Sequence, residues 1–431
     1  MPREKGEPAI GGLNEFSSAL IGGQLDILQE RAAKNFPGTA YAIFYNHASR
    51  KLEYAPPNLI LSSSFSHAID YGSGLFEGIS AHVNERTGIP HIILLNERTD
   101  RMFNRSIPTS ALISPISPDQ FKEAVTDFVA VNGQNNELFR NPKKPGELAR
   151  AYIRPSMHPA SLGGYGVWLA KGYPVDVTFL TWPWPDFFDP SIYTDGGEVA
   201  VTGAQRLSPV LGKHAYNYGR AVVDGQQARS EFGAREFVYL APYLIDDEGL
   251  RFWADPKDFE QKIRHGNLAD GSGEEVFAIT RDMKTMVFPP MDVNRLGGTV
   301  LKYGKDHIAP RFGLEVREGN ITLRGLREKE FSALAFAGNA AKIAPLRLVK
   351  IFNSQPGPNY GKLEEEIELF KPGDIPEPLR LIMHRWEDEI NGRVDPSDPS
   401  LITPVDMEKG RRIREELDNT FATKKVLSLV E

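Results

Sequence analysis

Lys213 lies in the run Lys213-His214-Ala215-Tyr216-Asn217-Tyr218, between a proline-containing loop (206–212) and a stretch that reads as helix from Gly219 onward. A lysine at a loop or strand edge, with a tyrosine five residues later, has the parts for one kind of chemistry. The amine can form an imine with an aldehyde cofactor while the phenol steadies that cofactor's oxygen. A single lysine is more often a solvated surface charge. The chemical reading therefore depends on whether other segments supply the rest of a site.

Several do. Tyr71-Gly72-Ser73-Gly74-Leu75-Phe76-Glu77-Gly78 spaces its glycines as Gly-x-Gly-x-x-x-Gly, without a clear preceding strand. That excludes a dinucleotide fingerprint. It leaves a tight turn, or a place where backbone approaches a ligand while Tyr71 and Phe76 form an apolar wall. Arg154 ends the apolar segment Tyr152-Ile153-Arg154, and a buried unpaired guanidinium is costly. Arg154 must reach solvent, a carboxylate or an anionic ligand. Arg101, in Asp100-Arg101-Met102, falls on a helical pattern where an exposed arginine is the ordinary reading. Asp270, in Asp270-Gly271-Ser272-Gly273-Glu274-Glu275, precedes a strand pattern, where a carboxylate can hold a pyridine nitrogen protonated or simply serve a turn. Gly297-Gly298-Thr299 and Gly338-Asn339-Ala340-Ala341 have the composition of backbone-amide anion cradles.

Elements must position these groups. Hydrophobic periodicity predicts strands at 40–45, 51–54, 89–95, 149–154 and 175–181, with helices at 97–105 and 120–131. An amphipathic helix is expected within 1–37, ending before Pro37. The prolines of Trp182-Pro183-Trp184-Pro185 argue against helix or central strand and place an interdomain connection at 182–195. An N-terminal unit would then span 1–181 and a C-terminal unit 196–431. The second would contain strands at 198–202, 236–240, 275–280, 285–288 and 333–336, and helices at 220–232 and 300–312. The irregular alternation of strands and helices predicts two α+β domains. Residues 353–400, rich in proline around one amphipathic helix at 379–391, read as a surface elaboration.

Composition narrows the function classes. The 431 residues are 41% hydrophobic and 25% charged, which is ordinary globular material. A net charge of −7, with no basic face evident, argues against nucleic acid. There is no cysteine, so disulfides and thiolate sites are excluded, and the nine histidines show no metal-binding spacing. No apolar run reaches the roughly 18 residues of a membrane span and no signal sequence opens the chain, so a cytoplasmic protein without a membrane partner is expected.

Taken in order, YGSGLFEGISA (71–81), DRMFNRS (100–106), AYIRP (151–155), KHAYNYG (213–219), DGSGEEVF (270–277), LGGTV (296–300) and AGNAAKIAP (337–345) resemble successive signatures of the branched-chain aminotransferases. These are two-domain, fold-type IV enzymes of the class IV aminotransferase family, with a D-amino-acid-aminotransferase-like architecture. The resemblance implies pyridoxal 5'-phosphate as cofactor, with Lys213 as the catalytic lysine. It assigns Tyr218 to the ring oxygen, Asp270 to the pyridine nitrogen, and Arg101, Gly298, Thr299, Val300, Asn339 and Ala340 to the phosphate region. Tyr71, Phe76, Gly78, Tyr152, Arg154, Trp184 and Phe187 fall at substrate-pocket positions. A homodimer, 2-oxoglutarate as acceptor and a ping-pong exchange with an apolar L-amino acid are implied as well.

The chain also departs from the pattern. Asp270 stands where a glutamate is usual, with Glu274 or Glu275 as alternative partners for the pyridine nitrogen. Glu275 replaces an asparagine, Gly297 a proline, and Asn339 a threonine. A D-amino-acid or amine transaminase, an aminodeoxychorismate-type lyase, or a catalytically silent cofactor-binding protein are the alternatives these changes leave open.

Overall fold

The computed structural model describes residues 38–57, 72–160, 172–205, 212–253, 255, 257–353, 355 and 357–427. The expected helix within 1–37, Tyr71 and most of the 206–212 loop lie outside the described residues.

Among the described residues, two sheets organise the chain. The first has eight strands, in spatial order Ile402–Pro404, Pro90–Ile93, Ile79–Val83, Arg150–Pro159, Val175–Trp184, Ala42–Asn46 and Lys51–Ala55, with Leu75–Phe76 paired to Arg150–Pro159. Along Val175–Trp184 burial alternates residue by residue, as a sheet with two unlike faces requires. Val177 and Phe179 face a core completed by Phe121, Val125 and Phe128 of the helix Pro118–Asn132. That helix begins where its sequence directs. Ser117 and Gln120 form a reciprocal capping box, and Pro118 follows the cap.

Residues 182–184 continue the strand Val175–Trp184 and do not belong to the interdomain connection expected at 182–195. Pro183 pairs opposite Ala151, and the neighbour on the other side, Ala42–Asn46, pairs with this strand only at Phe179 and Thr178. The strand is thus a local edge at Pro183, and an edge tolerates a residue that lacks an N–H. The connection that follows contains a short helix, Ser191–Asp195.

The second sheet has ten strands. Pairing runs from Glu236–Ile245 through Gly197–Val201, Lys342–Phe352, Phe331–Gly338 and Glu275–Thr280 to Gly266–Gly271, which pairs back onto Glu236–Ile245. The sheet therefore closes on itself. The seam between Gly266–Gly271 and Glu275–Thr280 is a single register pair, Asp270 opposite Glu275.

Two expectations about the C-terminal third are corrected. The helix at Glu377–Ile390 is core, not surface elaboration. Leu379, Ile382, Met383, Trp386 and Ile390 are buried in one cluster with Ile93 and Leu94 from the first sheet and Phe277 and Ala335 from the second. Ile402–Pro404 then joins the first sheet, and Lys409 of the following helix, Met407–Leu427, pairs with Asp127 and Glu123. The chain thus returns to its N-terminal half instead of ending in the second unit. Amphipathic spacing marked the helix as having a buried face but could not say which surface would cover it.

Candidate active site

Between the sheets lies a cavity of about 340 Å³. Lys213, Arg101, Tyr218, Asp270, Gly298, Thr299, Val300, Asn339 and Ala340 line it, together with Phe76, Gly78, Tyr152, Arg154, Trp184 and Phe187. Each described candidate from the sequence is among its walls.

The lysine is held from its backbone outward. Its amide donates to Ser106 Oγ at 2.9 Å and its carbonyl accepts from Phe76 N at 3.1 Å, which fixes the segment against Leu75–Phe76. The side chain then runs beside the Phe76 ring, with Nζ 4.7 Å from its centroid, and donates to Tyr218 Oη at 2.5 Å. Burial, and then the Arg101 cation, pull the ammonium down from 10.5 to about 7. A base of that strength is divided between its two proton states near neutrality.

The arginines come from two periodicities. Arg98 and Arg101 lie one turn apart on the helix Leu95–Arg101, and Arg105 follows in the π-helical segment Met102–Ser106 that continues it. Arg101 is buried, not exposed, and forms a two-point pair with Glu77 through Nε to Oε1 at 2.8 Å and Nη2 to Oε2 at 2.7 Å. Burial raises the Glu77 carboxyl, but Arg101 outweighs it and leaves the group below its ordinary value. The second periodicity is that of the strand Arg150–Pro159. Arg150, Tyr152 and Arg154 share one face, opposite Trp184, Trp182 and Leu180 of the neighbouring strand. Arg154 Nε donates to Tyr152 Oη at 2.9 Å and its guanidinium lies 4.4 Å from the Phe76 centroid. Among the described residues it has no carboxylate within ion-pair distance. Of the three destinations its sequence position required, the carboxylate partner is thus absent from the described residues.

The acidic side is equally specific. Asp270, Glu274 and Glu275 are all buried at the barrel seam. Burial, followed by the carboxylates of Glu236 and Asp270, pushes Glu274 up to about 8. Glu275 is committed elsewhere: Oε1 accepts from Arg295 Nη1 at 2.5 Å and Gly297 N at 3.0 Å, and Oε2 accepts from Gly298 N at 2.6 Å. This removes it as an alternative partner for a pyridine nitrogen. It also corrects the reading of Gly297-Gly298 as an open anion cradle, because the anion there is the protein's own.

Glu77, Arg98 and Arg150 were not singled out from sequence. Glu77 stood inside the glycine-rich run, and Arg98 one helical turn before Arg101, which was the available signal. Arg150 donates to the carbonyls of Asn339 and Ala340 at 2.5 Å, and Arg98 donates to Asn339 Oδ1 at 2.9 Å. Together they fix the 339–340 turn. With Oδ1 taken by Arg98, Asn339 Nδ2 is left as a buried donor without a protein acceptor among the described residues. A donor lining this cavity, whose walls also include Arg101 and the first-turn residues Thr299 and Val300, suits a phosphate oxygen. The residues fit pyridoxal phosphate on that observation.

Two curated relatives align over most of their length. The branched-chain-amino-acid aminotransferase of Escherichia coli (strain K12) is 25% identical over 294 residues, covering 66% of this chain and 78% of that one. The corresponding enzyme of Pseudomonas aeruginosa is 27% identical over 312 residues, covering 70% and 84%. Among solved structures, the branched-chain amino acid aminotransferase of Thermobaculum terrenum in its pyridoxal-phosphate form superposes with a TM-score of 0.61 over 86% of this chain and 99% of that one, at 15% identity. The chain is thus similar in sequence to branched-chain aminotransferases and shares their fold. No family model matches it. No helix among the described residues is long and apolar enough to cross a membrane.

Proposed function

We propose that the protein is a pyridoxal-phosphate-dependent aminotransferase that exchanges the amino group of an apolar, branched-chain-like L-amino acid with 2-oxoglutarate in a ping-pong cycle. The observation that carries this reading is the Lys213–Tyr218 pair, an amine pulled down to about 7 in a cavity lined by arginines and aromatic rings.

Arg101, Asn339 Nδ2 and the amides of Thr299 and Val300 would hold the phosphate, with Gly298 and Ala340 shaping the turns on either side. Asp270, backed by Glu274, would hold the pyridine nitrogen, and Tyr218 the ring oxygen. When bound, the cofactor supplies an electron sink for the α-carbon of the substrate.

The protein's own groups do the rest. Lys213 Nζ, uncharged in part near neutrality, takes the α-proton of the bound amino acid and returns a proton as amino transfer is completed. Arg154 receives a substrate carboxylate. Tyr152 orients it, since the phenol accepts from Nε and leaves the outer edge of the guanidinium for the ligand. Phe76, Tyr152, Trp184 and Phe187 provide an apolar wall that excludes water and accommodates a branched side chain. Gly78 is required at that wall, because a Cβ there would lie 2.6 Å from Tyr152 Oη. A homodimer and a cytoplasmic location belong to the same proposal. Self-association is supported by Val222 and Val223, both exposed on the helix Tyr216–Ser230 that borders the cavity.

The test is an absorbance spectrum of the protein with pyridoxal phosphate before and after L-leucine, L-valine, L-glutamate or D-alanine, beside Lys213→Ala. A cofactor band that needs Lys213 and bleaches with the branched-chain L-amino acids and L-glutamate is expected. No band in the intact chain would overturn the assignment. A band bleached by D-alanine alone would transfer it to a D-amino-acid enzyme.

A further inference from the structure

Glu275 is a buried carboxylate that the proposed chemistry leaves without a task. It sits at the barrel seam, with Asp270 opposite it on one neighbouring strand and Ala337 on the other. Its two oxygens take three donors, Arg295 Nη1 and the amides of Gly297 and Gly298. Arg295 is in turn anchored, donating from Nε to the carbonyl of Pro289 at 2.7 Å. From the other side, Arg105 Nη2 donates to the carbonyl of Gly297 at 3.2 Å.

The local sequence admits little else. Gly297 has φ +69°, and a Cβ on it would lie 2.7 Å from Arg105 Nη1. A Cβ on Gly298 would lie 2.5 Å from Glu275 Oε2. Two glycines, two arginines and one glutamate thus form a single clamp, and Thr299 follows at once as the first residue of its helix. The amides that open a helix have no acceptor within it, so their direction is set by the chain that leads into them. Here that chain is the clamped loop.

We propose that Glu275 and Arg295 are positioning residues for phosphate recognition. They consume the Gly297 and Gly298 amides and aim those of Thr299 and Val300 at the phosphate group of the cofactor. The inference rests on the cofactor assignment above and deepens it. A phosphate is then met by the Thr299 and Val300 amides, Asn339 Nδ2 and Arg101, one step further along the chain than the two glycines. Glu275 gains its hold on the loop from charge-assisted hydrogen bonds, and glutamine cannot replace it because one of its two terminal atoms is a donor facing donors.

The experiment compares binding of pyridoxal 5'-phosphate with binding of pyridoxal, which lacks the phosphate, by absorbance titration of the intact chain, Glu275→Gln and Arg295→Lys. The wild type should prefer the phosphorylated ligand. Glu275→Gln should reduce that preference by at least about tenfold, the worth of one hydrogen bond to a charged group, while pyridoxal affinity stays within about twofold of wild type. Arg295→Lys keeps the charge but loses the planar fork, and should give a smaller loss in the same direction. Inorganic phosphate should compete less well against pyridoxal phosphate in both variants. Pyridoxal binding reports an intact cavity, so equal weakening of both ligands would mean a structural role and overturn the proposal. An unchanged or increased phosphate preference in Glu275→Gln would overturn it too. A wild-type chain that binds neither ligand would instead remove the cofactor assignment and this inference with it.

Discussion

Replacing Lys213 by methionine should stabilise the protein without its cofactor, and by an amount that depends on pH. In the unfolded chain the amine titrates near its ordinary 10.5, whereas in the fold burial and Arg101 bring it to about 7. Below pH 7 both states are protonated, and folding carries the full cost of enclosing a cation. That interval corresponds to a cost on the order of 5 kcal/mol. Between pH 7 and 10.5 the unfolded state binds the extra proton, so wild-type stability rises with pH by up to about 1.4 kcal/mol per pH unit from this group alone. Methionine is of similar length and has no charge to bury, so Lys213→Met lacks the slope. The measurement is urea unfolding of both proteins without cofactor at intervals from pH 7.5 to 9.0. The variant should be more stable at the lower end, and its advantage should shrink by about 2 kcal/mol across the range. A difference that stays constant with pH would refute the argument, because it would mean that Lys213 titrates at the same pH folded and unfolded.

Glu77→Gln leaves the buried Arg101 without its counter-charge and should cost about 3–5 kcal/mol in urea unfolding without cofactor; inorganic phosphate should return more stability to this variant than to wild type, and equal gains would argue against Arg101 as a phosphate contact. Gly78→Ala should lower kcat/KM for L-leucine at least about tenfold by displacing Tyr152 and with it Arg154, while the cofactor absorbance is kept; an unchanged kcat/KM would separate the Tyr152–Arg154 pair from substrate recognition. Trp386→Ala should cost about 3–5 kcal/mol by thermal or urea unfolding, as expected for an aromatic core residue, whereas a loss below about 1 kcal/mol would return the Glu377–Ile390 helix to the surface role its proline-rich flanks suggested.

Sequence alone determined many of the elements and the chemistry of individual groups. The capping box at Ser117 and Gln120, the alternation in Val175–Thr181 and the amphipathic spacing of 379–391 are local signals, because backbone hydrogen bonding and side-chain periodicity act over a few residues. The segments around Lys213, Arg154, Asp270 and Asn339 were legible for the same reason, since each depends on residue types close together in the chain. What they pair with was not legible. Glu77 meets Arg101, Glu275 meets Arg295 and two amides, and Arg98 and Arg150 reach the turn at 339–340 across separations from 20 to 241 residues. Such contacts are set by sheet register and by closure of the barrel, and a one-residue slip in register would turn Arg154 to the opposite face. The same is true of Pro183, which is tolerated only because the adjoining strand pairs no further than Phe179. Tertiary structure alone decided that the amine of Lys213 is enclosed beside Arg101, and so that a residue type usually charged at neutral pH is here divided between base and acid.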